Sequence, residues 1–210
     1  MSKQLSEKSQ SWLVAAIIIL VLLIDQCLKF YIKLNFTLGE ARQIVPWFQI
    51  CFVENNGMAF GIEWFDKLFL TLFRIVAVGL FCWYINNLIH KRHVSVGYLV
   101  MVALVTAGAL GNIIDCLFYG LIFSDSTYLS VATLFPTEGG YAPLFYGRVV
   151  DMLYFPIIHN AAGETLFFRP VFNIADSCIT VAVICTSLFY SQELNRTLSK
   201  QANETTNSAN

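Results

Sequence analysis

The chain has 210 residues, of which 57% are hydrophobic and 13% are charged, with a mean hydropathy of +0.62. Because soluble domains carry about 25% charged residues, this composition excludes an ordinary cytosolic enzyme, a disordered chain and a fibrous rod. A net charge of −1 without a basic stripe also argues against nucleic acid as a partner, which leaves an integral membrane protein.

Four segments are long and apolar enough to predict membrane-spanning helices, since a span needs about 20 such residues. They cover about residues 12–32, 67–89, 96–118 and 171–190. Such long apolar runs favour helices over the short alternating strands of a β-barrel. We therefore expect residues 1–190 to form one membrane domain, followed by a polar, disordered, cytoplasmic tail over 191–210.

Basic residues predict the orientation of these helices, because short loops rich in Lys and Arg stay in the cytoplasm. The basic residues that flank the helices on one side are Lys3, Lys8, Lys91, Arg92, Arg196 and Lys200. Both termini are therefore expected to be cytoplasmic, with residues 33–66 and 119–170 outside. No small-residue cleavage site follows the first apolar run, so we expect helix one to remain uncleaved.

The two outer segments differ in their patterns. Residues 36–65 alternate polar and apolar side chains in places around glycine and proline, which predicts short strands and turns. Residues 119–147, called the insertion below, are interrupted by Gly, Pro and Ser and predict an irregular segment. The six cysteines form no C-x-x-C pair, and we expect them to be small apolar filler.

Ionisable side chains in or beside a span are costly, so each polar cluster is a candidate functional site. In chain order the clusters are Asp25 with Lys29, Asn55–Gly61, Gly108–Asp115, Arg148–Asp151 and Asn173–Asp176. Most have a structural alternative: a charge pair that closes helix one, a plain turn, close helix packing, or a carboxylate that complements a helix N-terminus. Packing does not explain why an amide and a carboxylate share one face of helix three.

The chemistry that remains is that of carboxylates and amides. The sequence has no H-E-x-x-H zinc motif, no G-x-S-x-G nucleophile motif and no phosphate-binding glycine loop. His90 and His93 lack a third metal ligand nearby, so we expect no metal and no other cofactor. Two carboxylates that share one proton can hydrolyse a peptide bond, because the ionised one activates water and the protonated one donates to the substrate.

In this order the clusters resemble the motifs of the lipoprotein signal peptidases (signal peptidase II). The matches are D-Q-x-x-K at Asp25–Lys29, N-x-G-x-A-F at Asn55–Phe60, G-x-x-G-N-x-x-D at Gly108–Asp115, V-V-D at Val149–Asp151 and F-N-x-A-D at Phe172–Asp176. The resemblance covers about residues 12–190 and includes the four-helix arrangement. Each motif alone is weak, whereas all of them in order are specific.

The resemblance implies an aspartyl endopeptidase of the bacterial cytoplasmic membrane, with its active site at the outer face. Such enzymes cut prolipoproteins just before the cysteine that carries diacylglycerol. The family's catalytic pair corresponds to Asp151 and Asp176. Positions that would bind substrate or orient the pair are Asn55, Gly57, Asn112, Asp115, Asn173, Ala175, Asp25 and Lys29, to which we add Arg148 on the hypothesis given below.

The same resemblance implies a small extracytoplasmic β-cradle after helix one, so the expected fold is mainly α, with four transmembrane helices, this cradle and the irregular insertion. The expected partners are diacylglyceryl-modified prolipoproteins and membrane phospholipid, and the protein is expected to be a monomer.

This chain departs from the family pattern at two places. The family usually has Arg directly after the helix-three Asp, where this chain has Cys116, and it usually lacks the insertion. We hypothesise that Arg148, three residues before Asp151, supplies the missing guanidinium. The insertion is a candidate lid. Arg74, about two turns into helix two, is either a snorkelling side chain or the partner of an outer carboxylate.

The two aspartates are expected to differ in charge. Asp176 lies near a helix N-terminus, which favours an anion, so we expect Asp151 to hold more of the shared proton. A transporter or ion channel that uses Asp25, Asp115 and Asp176 is the alternative from another class, and a non-catalytic scaffold is a third. The polar residues gather at the outer ends of the helices rather than across the bilayer, which favours the enzyme.

Overall fold

The computed structural model describes residues 5–56, 67–92, 94–159, 165–167 and 170–208. Its helices are α1 (Glu7–Asn35), α2 (Lys67–Asn87), α3 (Val96–Ile114), α4 (Gly120–Ile122), α5 (Ile174–Phe189) and α6 (Ser191–Ser208). Its strands are β1 (Ala41–Val45), β2 (Phe48–Asn55), β3 (Val149–Tyr154), β4 (Ile158–His159) and β5 (Thr165–Phe167). Helices α2 and α3 continue as π-helical turns, over Leu88–Arg92 and Asp115–Tyr119.

Three helical stretches in the described residues are long and apolar enough to cross a membrane. They are Glu7–Asn35, Lys67–His90 and Val96–Ile122. A fourth crossing is counted only if α5 and the start of α6 form one bent span, and these two helices meet at an angle of 87°. The architecture is therefore mainly helical with three or four spans, and the count of four stays a prediction.

Polar caps explain why two of the helices begin where they do rather than at the edge of the apolar run. The Ser6 side chain accepts a hydrogen bond from Ser9 N, so α1 begins at Glu7 rather than at about residue 12. The Asn173 side chain accepts from Asp176 N, so α5 begins at Ile174 rather than at about residue 171. A cap satisfies backbone donors that have no partner within the helix.

The tail is helical, which corrects the expectation of disorder after Ser191. Helix α6 turns away from α5, and Leu194 packs against the hydrophobic core between α1, α2 and α3. The Thr197 hydroxyl lies 2.8 Å from the Tyr84 hydroxyl, which in turn lies 2.7 Å from that of Tyr98. Over residues 191–200, the side chains shielded from solvent are Glu193, Leu194 and Thr197, which share one face of the helix. The low mean hydropathy of the whole segment does not predict such a face.

Helix α3 is at the centre of the bundle and packs against α1, α2 and α5. Small side chains allow this close approach, as the spacing of Ala103, Ala107 and Gly111 predicts. At Gly108 an added Cβ would lie 2.4 Å from the Ala175 carbonyl oxygen, so only glycine fits against α5 there. This contact brings the first turn of α5 against the polar end of α3.

A three-stranded antiparallel sheet in the order β1-β2-β3 covers one end of the bundle, called the sheet end below. This sheet confirms the prediction of short strands within residues 36–65. In the insertion, residues 119–122 are helical because α3 continues through them, which corrects the expectation there, whereas residues 124–147 form neither a helix nor an extended strand, as expected. Val53 pairs with Asp151 and Asn55 pairs with Val149. This register places the end of β2 beside the motif that carries Asp151.

Candidate active site

Asp151 lies on β3 and is 2% exposed. Its Oδ1 accepts a hydrogen bond from Asn173 Nδ2 at 2.7 Å, and its Oδ2 accepts one from Asn55 Nδ2 at 3.2 Å. Two neighbouring elements, α5 and β2, therefore fix this buried carboxyl group. Both donors are amides, which bind a carboxylate without adding a charge.

Asp176 lies in the first turn of α5 and is half-buried. Its Oδ1 accepts from Asn112 Nδ2 at 2.8 Å, and its Oδ2 accepts from the Asn173 backbone N at 3.4 Å. Asn173 Oδ1 in return accepts from Asp176 N at 2.9 Å, which completes a capping box. The helix N-terminus thus places a carboxylate where the helix dipole favours negative charge.

Asn173 is the link between the two aspartates. It donates to Asp151 through its side chain and to Asp176 through its backbone. Burial, followed by the negative charge of Asp176, raises the pKa of Asp151 to about 7, while hydrogen bonds from Asn55 and Asn173 oppose this rise. Asp151 is therefore suited to hold a proton near neutral pH, and the paired carboxyl groups can act as acid and base.

A group of three buried charges supports this pair from the side of the bundle. Lys29 Nζ lies 2.9 Å from Asp25 Oδ2 and 2.7 Å from Asp115 Oδ2, and all three side chains are 0% exposed. We call Asp25, Lys29 and Asp115 the helix cluster. Lys29 also donates to Asn112 Oδ1 at 2.9 Å, which leaves the amide nitrogen of Asn112 facing Asp176.

The carboxylates of the helix cluster bind the backbone beside each aspartate. Asp25 Oδ1 accepts from Ala175 N at 3.0 Å, one residue before Asp176. Asp115 Oδ2 accepts from Val150 N at 3.3 Å, one residue before Asp151. The helix cluster therefore positions the aspartates rather than standing apart as a simple charge pair.

Two polar side chains of this network were not among the predicted site residues. Gln26 Nε2 donates to Asp25 Oδ2 at 3.1 Å and to Asp115 Oδ1 at 2.9 Å, and Gln26 Oε1 accepts from the Tyr119 hydroxyl at 3.0 Å. Gln26 could have been selected from its place inside the D-Q-x-x-K motif. Tyr119 was not predicted because it belongs to none of the motifs and lies just after the predicted end of helix three, in the π-helical turn that continues α3.

The structure places the Arg148 guanidinium on two other carboxylates. Arg148 Nη1 donates at 2.7 Å to both Glu54 Oε2 and Asp125 Oδ1. Arg74 Nη1 lies 3.3 Å from the sulfur of Cys116, the position where the family pattern has Arg. Within the described residues, Arg74 therefore has a thiol rather than a carboxylate as its partner.

Of the predicted site residues, the structure brings together Asp25, Lys29, Asn55, Asn112, Asp115, Asp151, Asn173, Ala175 and Asp176. Gly57 lies outside the described residues. The described part of the chain contains no group of three or more His, Cys, Asp or Glu side chains that could hold a metal ion.

Comparison with known proteins gives a consistent result. The family model described as signal peptidase (SPase) II matches residues 17–191. A lipoprotein signal peptidase of Porphyromonas gingivalis strain ATCC 33277 is 47% identical over 199 residues, which cover 90% of this chain and 88% of the relative. A lipoprotein signal peptidase of Amoebophilus asiaticus strain 5a2 is 33% identical over 212 residues, which cover 94% of this chain and 86% of the relative.

A solved structure is also similar to this chain. It is described as a bacterial membrane enzyme determined by the in meso method at 2.3 Å resolution. It aligns with a TM-score of 0.59 and 25% sequence identity, over 85% of this chain and 88% of the solved chain. The similarity therefore extends through nearly all of the fold.

Proposed function

The chain belongs to the signal peptidase II family, and from this premise we propose that Asp151 and Asp176 are the catalytic pair with which it cleaves prolipoproteins. Membership of the family makes the protein a bacterial membrane protease that acts on lipoprotein precursors. The observation that supports the aspartyl mechanism is the single asparagine, Asn173, that hydrogen-bonds to both carboxyl groups.

The hydrolysis that we propose uses the two aspartates in different roles. Asp176 takes a proton from a water molecule, whose oxygen then attacks the carbonyl carbon of the scissile peptide bond. Asp151 donates its proton to the carbonyl oxygen, which gives a tetrahedral diol. The C–N bond then breaks as Asp176 gives the proton it took to the leaving nitrogen, which departs as an amine, while Asp151 takes a proton back from one hydroxyl group and a carboxyl group forms. Asp176 suits the role of base because it is more accessible and lies at a helix N-terminus.

The position of the pair supports an outward-facing reaction. Asp151 and Asp176 lie at the sheet end, where the ends of α1, α3 and α5 meet the sheet. We propose that this end faces the outside, that both termini are cytoplasmic, and that α5 with the start of α6 provides the fourth span. The bond cut would be the one before the diacylglyceryl-modified cysteine. A monomeric state and contact with phospholipid stay predictions.

The test is a gel-shift cleavage assay with purified full-length protein and a diacylglyceryl-modified prolipoprotein, with its unmodified precursor alongside. Asp151→Asn and Asp176→Asn should each lower the cleavage rate by at least about a hundredfold, since acid–base groups contribute about 10²–10⁴. The control is Glu138→Gln, which neutralises an exposed carboxylate of the insertion. It should cleave at the wild-type rate.

Each outcome has a clear meaning. Rapid cleavage by either aspartate variant would remove that aspartate from the mechanism. Cleavage of the unmodified precursor would contradict the requirement for the lipid. If the folded wild-type protein cleaved neither substrate, the transporter or scaffold interpretation would return.

A further inference from the structure

A second group of charges, with a buried ion pair at its centre, lies one helical turn further along α1. Lys33 Nζ forms an ion pair with Glu54 Oε1, and both side chains are almost wholly buried, at 0% and 3% exposed. Ser126 Oγ lies 2.9 Å from Lys33 Nζ and donates to Glu54 Oε1 at 3.1 Å. Together with Asp125 and Arg148, these residues form what we call the insertion cluster.

The insertion cluster joins three separate parts of the chain. Lys33 comes from α1 and Glu54 from β2, whereas Asp125 and Ser126 come from the insertion. Arg148 connects them, since its guanidinium binds both Glu54 and Asp125. With two cations and two anions the cluster has no net charge, so no member is left as an uncompensated buried ion.

The cluster is directly attached to the residues that hold Asp151. Glu54 precedes Asn55, whose side chain donates to Asp151 Oδ2. Arg148 precedes Val149, which pairs with Asn55 across the sheet. Glu54 is therefore the immediate neighbour of a hydrogen-bond donor to the buried carboxyl group, and Arg148 is one residue from the position that pairs with that donor.

We propose that the insertion positions Asp151 for catalysis: Asp125 and Ser126 hold Glu54 and Arg148, and these fix the ends of β2 and β3. This inference rests on the proposed role of Asp151 as the proton donor of the reaction. The residues of the insertion cluster are positioning residues, since they act on the aspartate through Asn55 and the strand. The insertion is then a fixed support rather than a lid.

The backbone contacts of the insertion support a fixed segment. It is bound to the parts of the chain on either side of it through Leu38 N to Thr127 O at 2.9 Å and Gly147 N to Cys116 O at 2.9 Å, and Ala142 N to Gly120 O at 3.0 Å joins its two ends. At Gly147 an added Cβ would lie 2.0 Å from the Asp115 carbonyl oxygen. The end of the insertion is therefore packed directly against the backbone of the turn that continues α3.

Aromatic rings lie close to both cations of the insertion cluster. Lys33 Nζ lies 4.9 Å from the centre of the Tyr141 ring and 5.3 Å from that of Phe123. The Arg148 guanidinium lies 4.8 Å from the same Tyr141 ring. Since Tyr141 and Phe123 belong to the insertion, these cation–π contacts also attach the insertion to α1 and to the residue that precedes β3.

The test compares variants inside the cluster with a matched variant elsewhere in the insertion. Glu54→Gln removes the shared anion and Ser126→Ala removes one hydroxyl that binds Lys33 and Glu54. The control is Ser130→Ala, an exposed serine whose hydroxyl lies 2.8 Å from Thr127 Oγ1 within the insertion. The values measured are kcat, KM for the diacylglyceryl-modified prolipoprotein, and the pH dependence of kcat.

We expect Glu54→Gln to lower kcat by roughly 10- to 100-fold with KM within about twofold, since a reacting group displaced by about 1 Å can cost a hundredfold. Ser126→Ala should act in the same direction by roughly threefold to tenfold, and Ser130→Ala should match wild type. Both cluster variants should also move the fall in kcat at high pH to a higher pH. The hydrogen bond from Asn55 lowers the pKa of Asp151, so a displaced Asn55 should let that pKa rise. The other groups that act on Asp151, which are Asp176, Asn173, Lys29 and Asp115, are unchanged in these variants.

Wild-type kcat and pH dependence in both Glu54→Gln and Ser126→Ala would overturn the proposal. So would a raised KM with unchanged kcat and pH dependence, which is the result expected of a lid. If Glu54→Gln does not fold, Ser126→Ala decides alone by the same criteria. Asp151→Asn is measured in parallel: if that variant cleaves normally, the proposed catalytic pair fails, whichever way the cluster variants behave.

Discussion

Lys29 and Lys33 lie one helical turn apart on α1, yet each belongs to a different group of charges beside the candidate active site. Lys29 belongs to the helix cluster and donates to Asn112, the amide that binds Asp176. Lys33 belongs to the insertion cluster, whose Glu54 lies beside the residue that binds Asp151. Asp176 is thus held through the helix cluster. Asp151 is held from two sides, through Asp115 and Val150 N in the helix cluster and through Asn55 beside Glu54 in the insertion cluster.

The two groups also differ in charge balance. Among the described residues, Lys29 is the one cation that pairs with Asp25 and Asp115, so the helix cluster has one cation for two carboxylates. In the insertion cluster Glu54 pairs with Arg148 as well as with Lys33. Loss of a lysine should therefore be far more damaging in the helix cluster, where no second cation remains.

The largest effect is expected for Lys29→Met. This variant leaves two wholly buried carboxylates without a counter-charge, and breaking a buried ion pair costs about 3–5 kcal/mol of unfolding free energy. Lys33→Met should cost less, about 1–3 kcal/mol, because Glu54 keeps Arg148. The measurement is denaturant unfolding in detergent micelles, followed by the cleavage assay.

Lys8→Met, on an exposed position of the same helix, is the control for the substitution itself. It should leave both stability and cleavage unchanged. Equal losses in Lys29→Met and Lys33→Met would contradict the difference in charge balance between the two clusters.

The pH dependence of cleavage tests whether Asp151 acts as the proton donor and Asp176 as the base. Since the pKa of Asp151 is raised to about 7 and we propose that its protonated form is active, kcat should fall as the pH rises above that value. The decline should approach about tenfold per pH unit. The measurement is kcat for the lipid-modified substrate between about pH 5 and 9.

Asn55→Ala sharpens the same experiment. The hydrogen bond from Asn55 lowers the pKa of Asp151, so its loss should move the decline in kcat to higher pH. A kcat that stays constant up to about pH 9 would show that no proton on Asp151 is needed. A shift to lower pH in Asn55→Ala would assign the titration to another group.

The residues of the helix cluster could be predicted from the sequence, whereas those of the insertion cluster, apart from Arg148, could not. Asp25 and Lys29 are four residues apart, which places them on one helix face, and Asn112 and Asp115 share a face of α3 in the same way. The motif resemblance then supplied Asp151, Asn173 and Asp176. The spacing of residues and the order of the motifs predict which of these side chains lie together, because the residues lie at the ends of regular helices and strands.

Glu54, Asp125 and Ser126 offered no such signal. Glu54 lies 21 residues from Lys33 and 72 from Ser126 in sequence, so only the folded insertion brings them together. The sequence did place Lys33 four residues after Lys29, a hint that a buried cation continues along the same face of α1. The helix in the tail was not predicted for another reason: the segment is polar overall, and Leu194 and Thr197 on one face make its contacts with the bundle.

Variants of Arg148 and Arg74 test which guanidinium matters for cleavage, the one that binds Glu54 and Asp125 or the one that contacts Cys116. Arg148→Ala should lower kcat by roughly tenfold, because Arg148 binds Glu54 and Asp125 and fixes the strand that carries Asp151. Arg74→Ala should stay within about threefold, because the thiol of Cys116 is only a weak acceptor. Both are measured as kcat on the lipid-modified substrate.

Wild-type cleavage by Arg148→Ala would refute the hypothesis that this residue supplies the guanidinium missing at Cys116. If Arg74→Ala is instead the slower enzyme, the functional guanidinium is the one that contacts Cys116 from α2.

The smallest effect is expected at the end of the bundle opposite the sheet. Thr197→Val removes the hydroxyl that lies 2.8 Å from that of Tyr84, while Tyr84 keeps its contact with Tyr98. The loss should lower the unfolding free energy by about 1 kcal/mol, the usual value of one hydrogen bond. Tyr98 and Asn112 lie roughly 20 Å apart along α3 at a rise of about 1.5 Å per residue, so kcat should not change. A more than threefold fall in kcat would show that α6 is coupled to the aspartates, and the two charge clusters would then not be sufficient to hold the site.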